Sequence, residues 1–353
     1  MGILGRGPTL GERPPSRRDR RQYGIKTRPP GPRRESERRA QMIILFAIVL
    51  VALVVVGIAA YGYYQSNIKP DQESVIRVGD RTFDMGYMER RLRYVMRTAS
   101  PTDLVFRNSR SAVQTALDGA MNEELDRQGS PELGISVTEE EIDAQIRLRL
   151  RIPETADSST FAESYRNAVK DSGLKPSEYR ETIAAGLLEE KLRQQLRTQI
   201  PTNAEQVRLR DMRVLNQEDA QKALERLQAG EDFALLAGEL SYDTATKGKG
   251  GEMDWQARGQ MPPEIESAVF SLEVNQLSQP LYQYGTYYIY QMLEKAVDKE
   301  VTPDQRQQIE EQSLTTWRTG VSQQVEVVTY LSQAQFDRLV EIAKSEGSEA
   351  GGG

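Results

Sequence analysis

Three glycines within four positions, Gly248, Gly250 and Gly251, form the densest candidate site motif in the 353-residue sequence. A Gly-rich turn cradles a phosphate when it joins a strand to a helix N-terminus and ends in Lys-Ser/Thr. Here the loop reads SYDTATKGKGGEMDW and has no such ending, so tight turning is its expected use. The run Glu139-Glu140-Glu141 offers three carboxylates, but acidic residues in a first helical turn are favourable for the helix dipole alone. No metal and no cofactor is expected. The chain has no His and no Cys. That excludes imidazole acid–base work, Ser-His-Asp and Cys-His nucleophiles, His- or Cys-ligated zinc, and disulfides. Any chemistry must run on carboxylates, hydroxyls, amines, backbone amides or shape.

The elements that would position such groups are divided by charge. Residues 1–41 hold 12 Lys and Arg against 4 Asp and Glu, whereas the whole chain carries a net charge of −6. Between Arg39 and Lys69 there is no charge, and residues 42–64 are almost wholly apolar. Such a run spans about 34 Å as a helix, enough to cross a bilayer core. Tyr61, Tyr63 and Tyr64 suit its interfacial end. A cleaved signal peptide fits less well, because the apolar run and the basic segment before it are both long. Positive flanks stay inside. The expectation is therefore a basic, disordered cytoplasmic tail over 1–41, a transmembrane helix over 42–64, and an extracytoplasmic body. Binding of anionic lipid or nucleic acid by the tail is open to it, but topology determination is the favoured reading, and no nucleic-acid partner is expected.

The body reads as amphipathic helix with one mixed segment, an α+β class. Two short strands flank Gly79-Asp80, and Asp84 caps a helix to about Met96. A helix is expected from Asp103 to Arg127. Thr138-x-x-Glu141 is a capping box, and Thr160-x-x-Glu163 is expected to open a further helix. From Pro176 to about Gln199, Tyr179, Ile183, Leu187, Leu188, Leu192 and Leu196 form a buried stripe. Beyond Glu205 comes a strand over 206–214 with Val207, Leu209, Asp211 and Arg213 on one side. Helices over 217–229 and 233–240, the Gly loop, and a helix over 263–271 follow. Strands around 279–282 and 286–293 turn at Gly285. A helix over 303–323, a strand over 325–331, a helix over 332–345 and a flexible tail over 347–353 complete the chain.

Four strings carry a resemblance: LQAGEDFALLAGELSYD (227–243), KGKGGEMDW (247–255), RGQMPPEIESAVFSLEVNQLSQPL (258–281) and YGTYYIYQM (284–292). In order and spacing this segment resembles the parvulin-type (PpiC-like) peptidyl-prolyl isomerase domain. The flanks, from VIRVGDRTFD (75–84) to the Pro176–Gln199 helix, look like the chaperone region of the extracytoplasmic SurA/PrsA group of foldases. The resemblance implies a helical chaperone-like domain over 70–201, a β-α-α-α-β-β isomerase domain with a small antiparallel sheet over 202–298, and a C-terminal helical segment over 299–346 that returns to the helical domain. It implies a catalytic set of Asp243, Asp211 and Tyr287, the last two at the positions where the family has His. It implies a proline pocket of Met253 and Met261, with Ile265 where the family usually has Phe; Phe270 joins them as a further candidate for the substrate-binding set.

Losing both imidazoles is tolerable in such chemistry. Rotating an X-Pro amide breaks no covalent bond; the barrier, about 18–20 kcal/mol, is lost amide resonance. Each tenfold acceleration needs about 1.4 kcal/mol of preferential binding to the twisted state. An apolar cleft of Met253, Met261, Ile265 and Phe270, with Tyr287 donating and Asp211 or Asp243 accepting a hydrogen bond, is a candidate for supplying it. Plain core packing is the competing account of Ile265 and Phe270, turn capping that of Asp243, and a solvated strand hydroxyl that of Tyr287. The expected function is a membrane-anchored isomerase, or rotamase, assisting protein folding, with unfolded or proline-containing polypeptides as partners. A non-catalytic holding chaperone and a structural partner of an envelope complex are the alternatives. Oligomeric state is not legible.

Overall fold

A computed structural model of the protein describes residues 33–65, 69–99 and 108–350. The expected disorder of residues 1–32, the start of the helix expected at Asp103 and the last three residues of the expected C-terminal tail lie outside these. The chain divides into two compact units, residues 1–69 and 70–353.

In the first unit, α1 runs over Arg33–Tyr63. Its stretch Gln41–Tyr63, 23 residues, is long and apolar enough to cross a membrane. The helix reaches back through residues 33–41, part of the segment expected to be disordered. That segment, RRESERRAQ, is rich in strong helix formers, so helix propagates into it from the apolar run.

The second unit holds two antiparallel sheets. β1 (Ser74–Val78) and β2 (Arg81–Asp84) form the expected hairpin. Asp84 caps α2 (Met85–Thr98), its Oδ1 accepting from the Tyr87 N–H at 2.7 Å. Asn108 caps α3 (Ser109–Gly129). α4 (Glu139–Arg149) opens with the Thr138/Glu141 capping box. α5 (Ser158–Ser172) is capped by Asp157, not by Thr160, whose own N–H donates to Asp157 at 2.7 Å. A carboxylate accepts this bond better than a hydroxyl, so the helix begins three residues earlier than expected. α6 (Pro176–Arg197) buries Tyr179, Ile183, Leu188, Leu192 and Leu196, with Leu187 half-buried.

Next comes β3 (Asn203–Val214), then α7 (Gln217–Gln228), α8 (Phe233–Leu240), the short β4 (Gln256–Ala257), α9 (Pro263–Phe270), β5 (Leu281–Gln283) and β6 (Thr286–Glu300). These strands form one sheet in the order β4-β3-β6-β5. β6 is longer than expected because its distal half pairs with the start of β3, Asn203 opposite Glu300. α10 (Pro303–Gln324), β7 (Val327–Thr329) and α11 (Gln333–Ala350) follow. β7 returns to β1, pairing Val327 with Val78 and Thr329 with Ile76. The first sheet, β2-β1-β7, thus joins strands from opposite ends of the second unit. Its core combines Val75, Phe83, Met88 and Leu92 with Leu339, Val340 and Ala343 of α11. That packing carries α11 through Ala350, four residues into the segment expected to be a flexible tail.

Candidate functional site

Side chains alternate across a strand, and residues directly opposite in an antiparallel pair share a face. β3 and β6 pair Leu209 with Met292, Asp211 with Tyr290, Arg213 with Tyr288, and Val214 with Tyr287. One face of the sheet therefore carries Leu209, Asp211, Arg213, Tyr288, Tyr290 and Met292. Onto it pack Met261, Ile265, Val269 and Phe270, with Met253 at the margin, in a single apolar cluster. The other face carries Met212, Val214 and Ile289 and is covered by α7 and α8.

Six of the seven expected site residues meet on or beside the first face. Met261, Ile265 and Phe270 are buried and Met253 is half-buried. The Arg258 guanidinium lies 4.3 Å from the Phe270 ring centroid. Asp211, on the same face of the sheet, is 3% exposed. Asp243 belongs to the adjoining turn: its Oδ1 accepts from the Ala245 N–H at 2.8 Å and its carbonyl from the Lys247 N–H at 2.9 Å. This is the geometry of an Asx turn, and it holds the Asp243 charge near Asp211.

Tyr287 does not join them. Its register opposite Val214 puts it on the α7–α8 face, its ring 5.0 Å from that of Tyr282. The face turns on a single position: Tyr288, not Tyr287, lies on the Asp211 side, and its hydroxyl accepts from Arg213 Nη1 at 3.3 Å. The turn explains the offset. Tyr284 and Gly285 both have positive φ, 49° and 79°, a two-residue turn that fixes which residue starts the alternation. Tyr288, Tyr290 and Arg213 share the Asp211 face, and the Thr246 hydroxyl neighbours the Asp211 carboxyl, though none of the four was expected there as a site residue. The alternation Tyr288-x-Tyr290-x-Met292 was the available signal.

Asp211 is electrostatically unusual. Its Oδ1 is buried and has no hydrogen-bond partner. Burial pushes its carboxyl up to about 6; the neighbouring Thr246 hydroxyl opposes this and the Asp243 charge adds to it. An acid whose folded pKa is raised keeps its proton where the unfolded chain has already lost it. Stability therefore falls as pH rises from the ordinary carboxylate range to about 6, then levels off. Asp211→Asn removes that penalty. The variant is expected to be more stable by about 3 kcal/mol at pH 8 and by almost nothing near pH 4, in urea titrations of both chains. An equal effect at the two pH values would refute the account.

The Gly loop braces this strand. Gly251 accepts from the Asp211 backbone N–H at 2.8 Å, while its own N–H donates to the Thr246 carbonyl at 2.9 Å. The Gly251 peptide is thus committed within the fold through both its N–H and its carbonyl.

Comparison with known proteins accords with this geometry. The family model of the PPIC-type PPIASE domain matches residues 193–294, and that of the SurA-like N-terminal domain matches residues 33–193. Residues 193–294 are a parvulin-type domain. The foldase protein PrsA of Caldanaerobacter subterraneus subsp. tengcongensis is 44% identical over 86 residues, which is 24% of this chain and 28% of that one. The foldase protein PrsA of Geobacillus kaustophilus is 29% identical over 171 residues, 46% of this chain and 57% of that one. The matches thus span about a quarter to just over half of these relatives' length. A crystal structure of the peptidylprolyl isomerase PrsA from Bacillus anthracis aligns with a TM-score of 0.36 at 17% identity, covering 67% of this chain and 97% of that one. The PPIC-type match starts at residue 193, inside α6, and the SurA-like match takes in α1.

Proposed function

We propose that this chain is a membrane-anchored peptidyl-prolyl cis-trans isomerase and foldase that acts on unfolded extracytoplasmic polypeptides. The observation that carries the reading is the β3–β6 face of the parvulin domain. There Met253, Met261, Ile265 and Phe270 form one apolar cluster on the face that also carries the buried carboxylate of Asp211. An apolar contact to the prolyl ring, with a few polar groups favouring the twisted amide, suffices for a reaction without covalent steps. Asp211 and Asp243 are the acceptors in this reading, and Met261 is the main ring contact, thioether flexibility suiting it to varied sequences. The basic residues before α1 favour a cytoplasmic N-terminus, placing the body outside.

The test is exchange-rate NMR on a panel of X-Pro peptides with the full chain in detergent micelles. Acceleration is expected. Met261→Ala is expected to lower it about tenfold, equivalent to about 1.4 kcal/mol of lost transition-state contact. Tyr287→Phe is expected to change it less, since that ring lies on the far face. Equal or reversed losses, at a temperature where both variants are folded, would argue against the apolar face as the main contributor.

A holding chaperone has its own supporting observation. The SurA-like region contains a cavity of about 250 Å³ whose lining includes Phe83, Tyr87, Ile135 and Leu188. Absence of acceleration together with suppressed aggregation of an unfolded protein would favour that reading.

A further inference from the structure

We propose that the hydroxyl of Tyr290 is the hydrogen-bond donor that meets the prolyl amide as it twists. The proposal rests on the isomerase reading and adds a catalytic residue to it. Tyr290 stands directly opposite Asp211 across β3 and β6, within the apolar cluster that contains Met261 and Phe270. The residue is 5% exposed. Its backbone is fixed on both sides: its N–H donates to Ser278 Oγ at 2.9 Å, and its carbonyl accepts from the Ser278 N–H at 2.8 Å. Its ring stacks on Tyr288 with centroids 5.9 Å apart and planes 7° apart, and Arg213 holds Tyr288 in turn. The ring is thus clamped, yet its hydroxyl makes no hydrogen bond to the described residues. The Asp211 Oδ1 beside it is likewise unpartnered.

The buried Asp211 Oδ1 opposes folding, because it gives up water and receives nothing in return. An apolar residue at position 211 would pack the same cluster without that cost. A peptide bond entering the face would supply the missing partners. In the planar amide the nitrogen lone pair is delocalised and accepts no hydrogen bond. As the bond twists, that lone pair localises on nitrogen and becomes an acceptor. A donor held in place beforehand then binds the twisted state better than the planar one. The donor must keep its proton. Burial and the negative charge of Asp211 raise the Tyr290 phenol above its ordinary range, with Tyr288, Asp243 and Tyr284 acting in the same direction. Two cations lie on or against this face: Arg213, engaged with the Tyr288 hydroxyl, and Arg258, over the Phe270 ring.

The experiment compares parent, Tyr290→Phe and Tyr287→Phe as full chains in detergent, by exchange NMR on one X-Pro peptide, alongside peptide affinity and thermal unfolding. Tyr290→Phe removes an oxygen that bonds to nothing in the fold, so a structural role predicts equal or higher stability and unchanged rate. The proposal predicts a loss of about tenfold in catalysed exchange at saturating peptide, with affinity held within about twofold. A Tyr290→Phe rate within twofold of the parent's would overturn it, and so would an equal loss in Tyr287→Phe. Should Tyr290→Phe not fold, the parent's rate between pH 8 and about pH 10.5 decides. A flat profile supports a buried phenol as donor; a fall near the ordinary tyrosine value of about 10 points to an exposed one and overturns the assignment. No acceleration by the parent would defeat the isomerase reading itself, a result distinct from an active parent with an equally active Tyr290→Phe.

Discussion

Gly251→Ala is expected to destabilise the parvulin domain by about 4 kcal/mol or more and to abolish proline-dependent activity with it. Gly251 has φ +83°, a region where an L side chain is strained by about 1–2 kcal/mol. The larger part is contact. A Cβ there would lie 2.4 Å from the Asp211 carbonyl oxygen and 3.0 Å from Phe233 Cε1. Neither neighbour can yield cheaply. The Asp211 carbonyl belongs to a central strand of the sheet, and Phe233 is buried at the start of α8. Moving the loop instead would break the 2.8 Å hydrogen bond from Asp211 N–H to the Gly251 carbonyl. Gly248 is the internal comparison: it is exposed, and an added Cβ would meet no atom within 4 Å, so Gly248→Ala should stay within about 0.5 kcal/mol of the parent. Urea unfolding followed through Trp255, in the connection from α8 to β4 of the same domain, reports both. A Gly251→Ala chain within 1 kcal/mol of the parent would mean that the loop does not brace the site strand.

That loop marks the limit of what could be read before the structure. Its glycines announced a tight turn, and the spacing of Leu209, Asp211 and Arg213 correctly put the three on one side of a strand. Period-2 alternation needs only the sequence of one strand. It does not say which residues of a second strand lie opposite, because that register depends on the turn between β5 and β6. There a tyrosine occupies a left-handed position usually taken by Asn or Gly, and one residue of offset puts Tyr288 rather than Tyr287 on the Asp211 face. The apolar cluster packed on that face was legible for the opposite reason. Met261, Ile265 and Phe270 lie on or just before one helix, where local spacing fixes the common face. The return of β7 to β1 was not legible as a pairing. Strand 325–331 was visible, but its partner lies some 250 residues earlier, a long-range contact that no local pattern encodes.

The other large effect is expected at that return. Arg318→Ala should cost the second unit about 3–5 kcal/mol. Arg318, on α10, donates through Nε and Nη2 to the two oxygens of Asp126 on α3, at 2.8 and 2.6 Å, and through Nη2 to Glu189 on α6 at 3.1 Å. The Asp126 side chain is 1% exposed. Burial already raises its carboxyl pKa, and Arg318 is the main group opposing that rise. Without the guanidinium, a buried carboxylate remains without its countercharge, and the cheapest escape is to take up a proton. The deficit of Arg318→Ala should therefore be largest at pH 8 and shrink toward pH 5, opposite to a simple packing loss, which is indifferent to pH. Replacing both partners, as Arg318→Met with Asp126→Leu, removes the buried charge as well as its partner and should recover most of the lost stability. The contact matters beyond its own energy because of where it sits. Gly129, at the end of α3, approaches α10 so closely that an added Cβ would lie 2.6 Å from Val321 and 2.8 Å from Trp317. The ion pair fixes α10 at that point, and α10 leads directly into β7 and α11, which complete the first sheet and its core. Hydrogen exchange should accordingly rise in β7 and α11 of Arg318→Ala before it rises in β3 and β6. Uniform exchange across both sheets would show instead that the second unit opens as one.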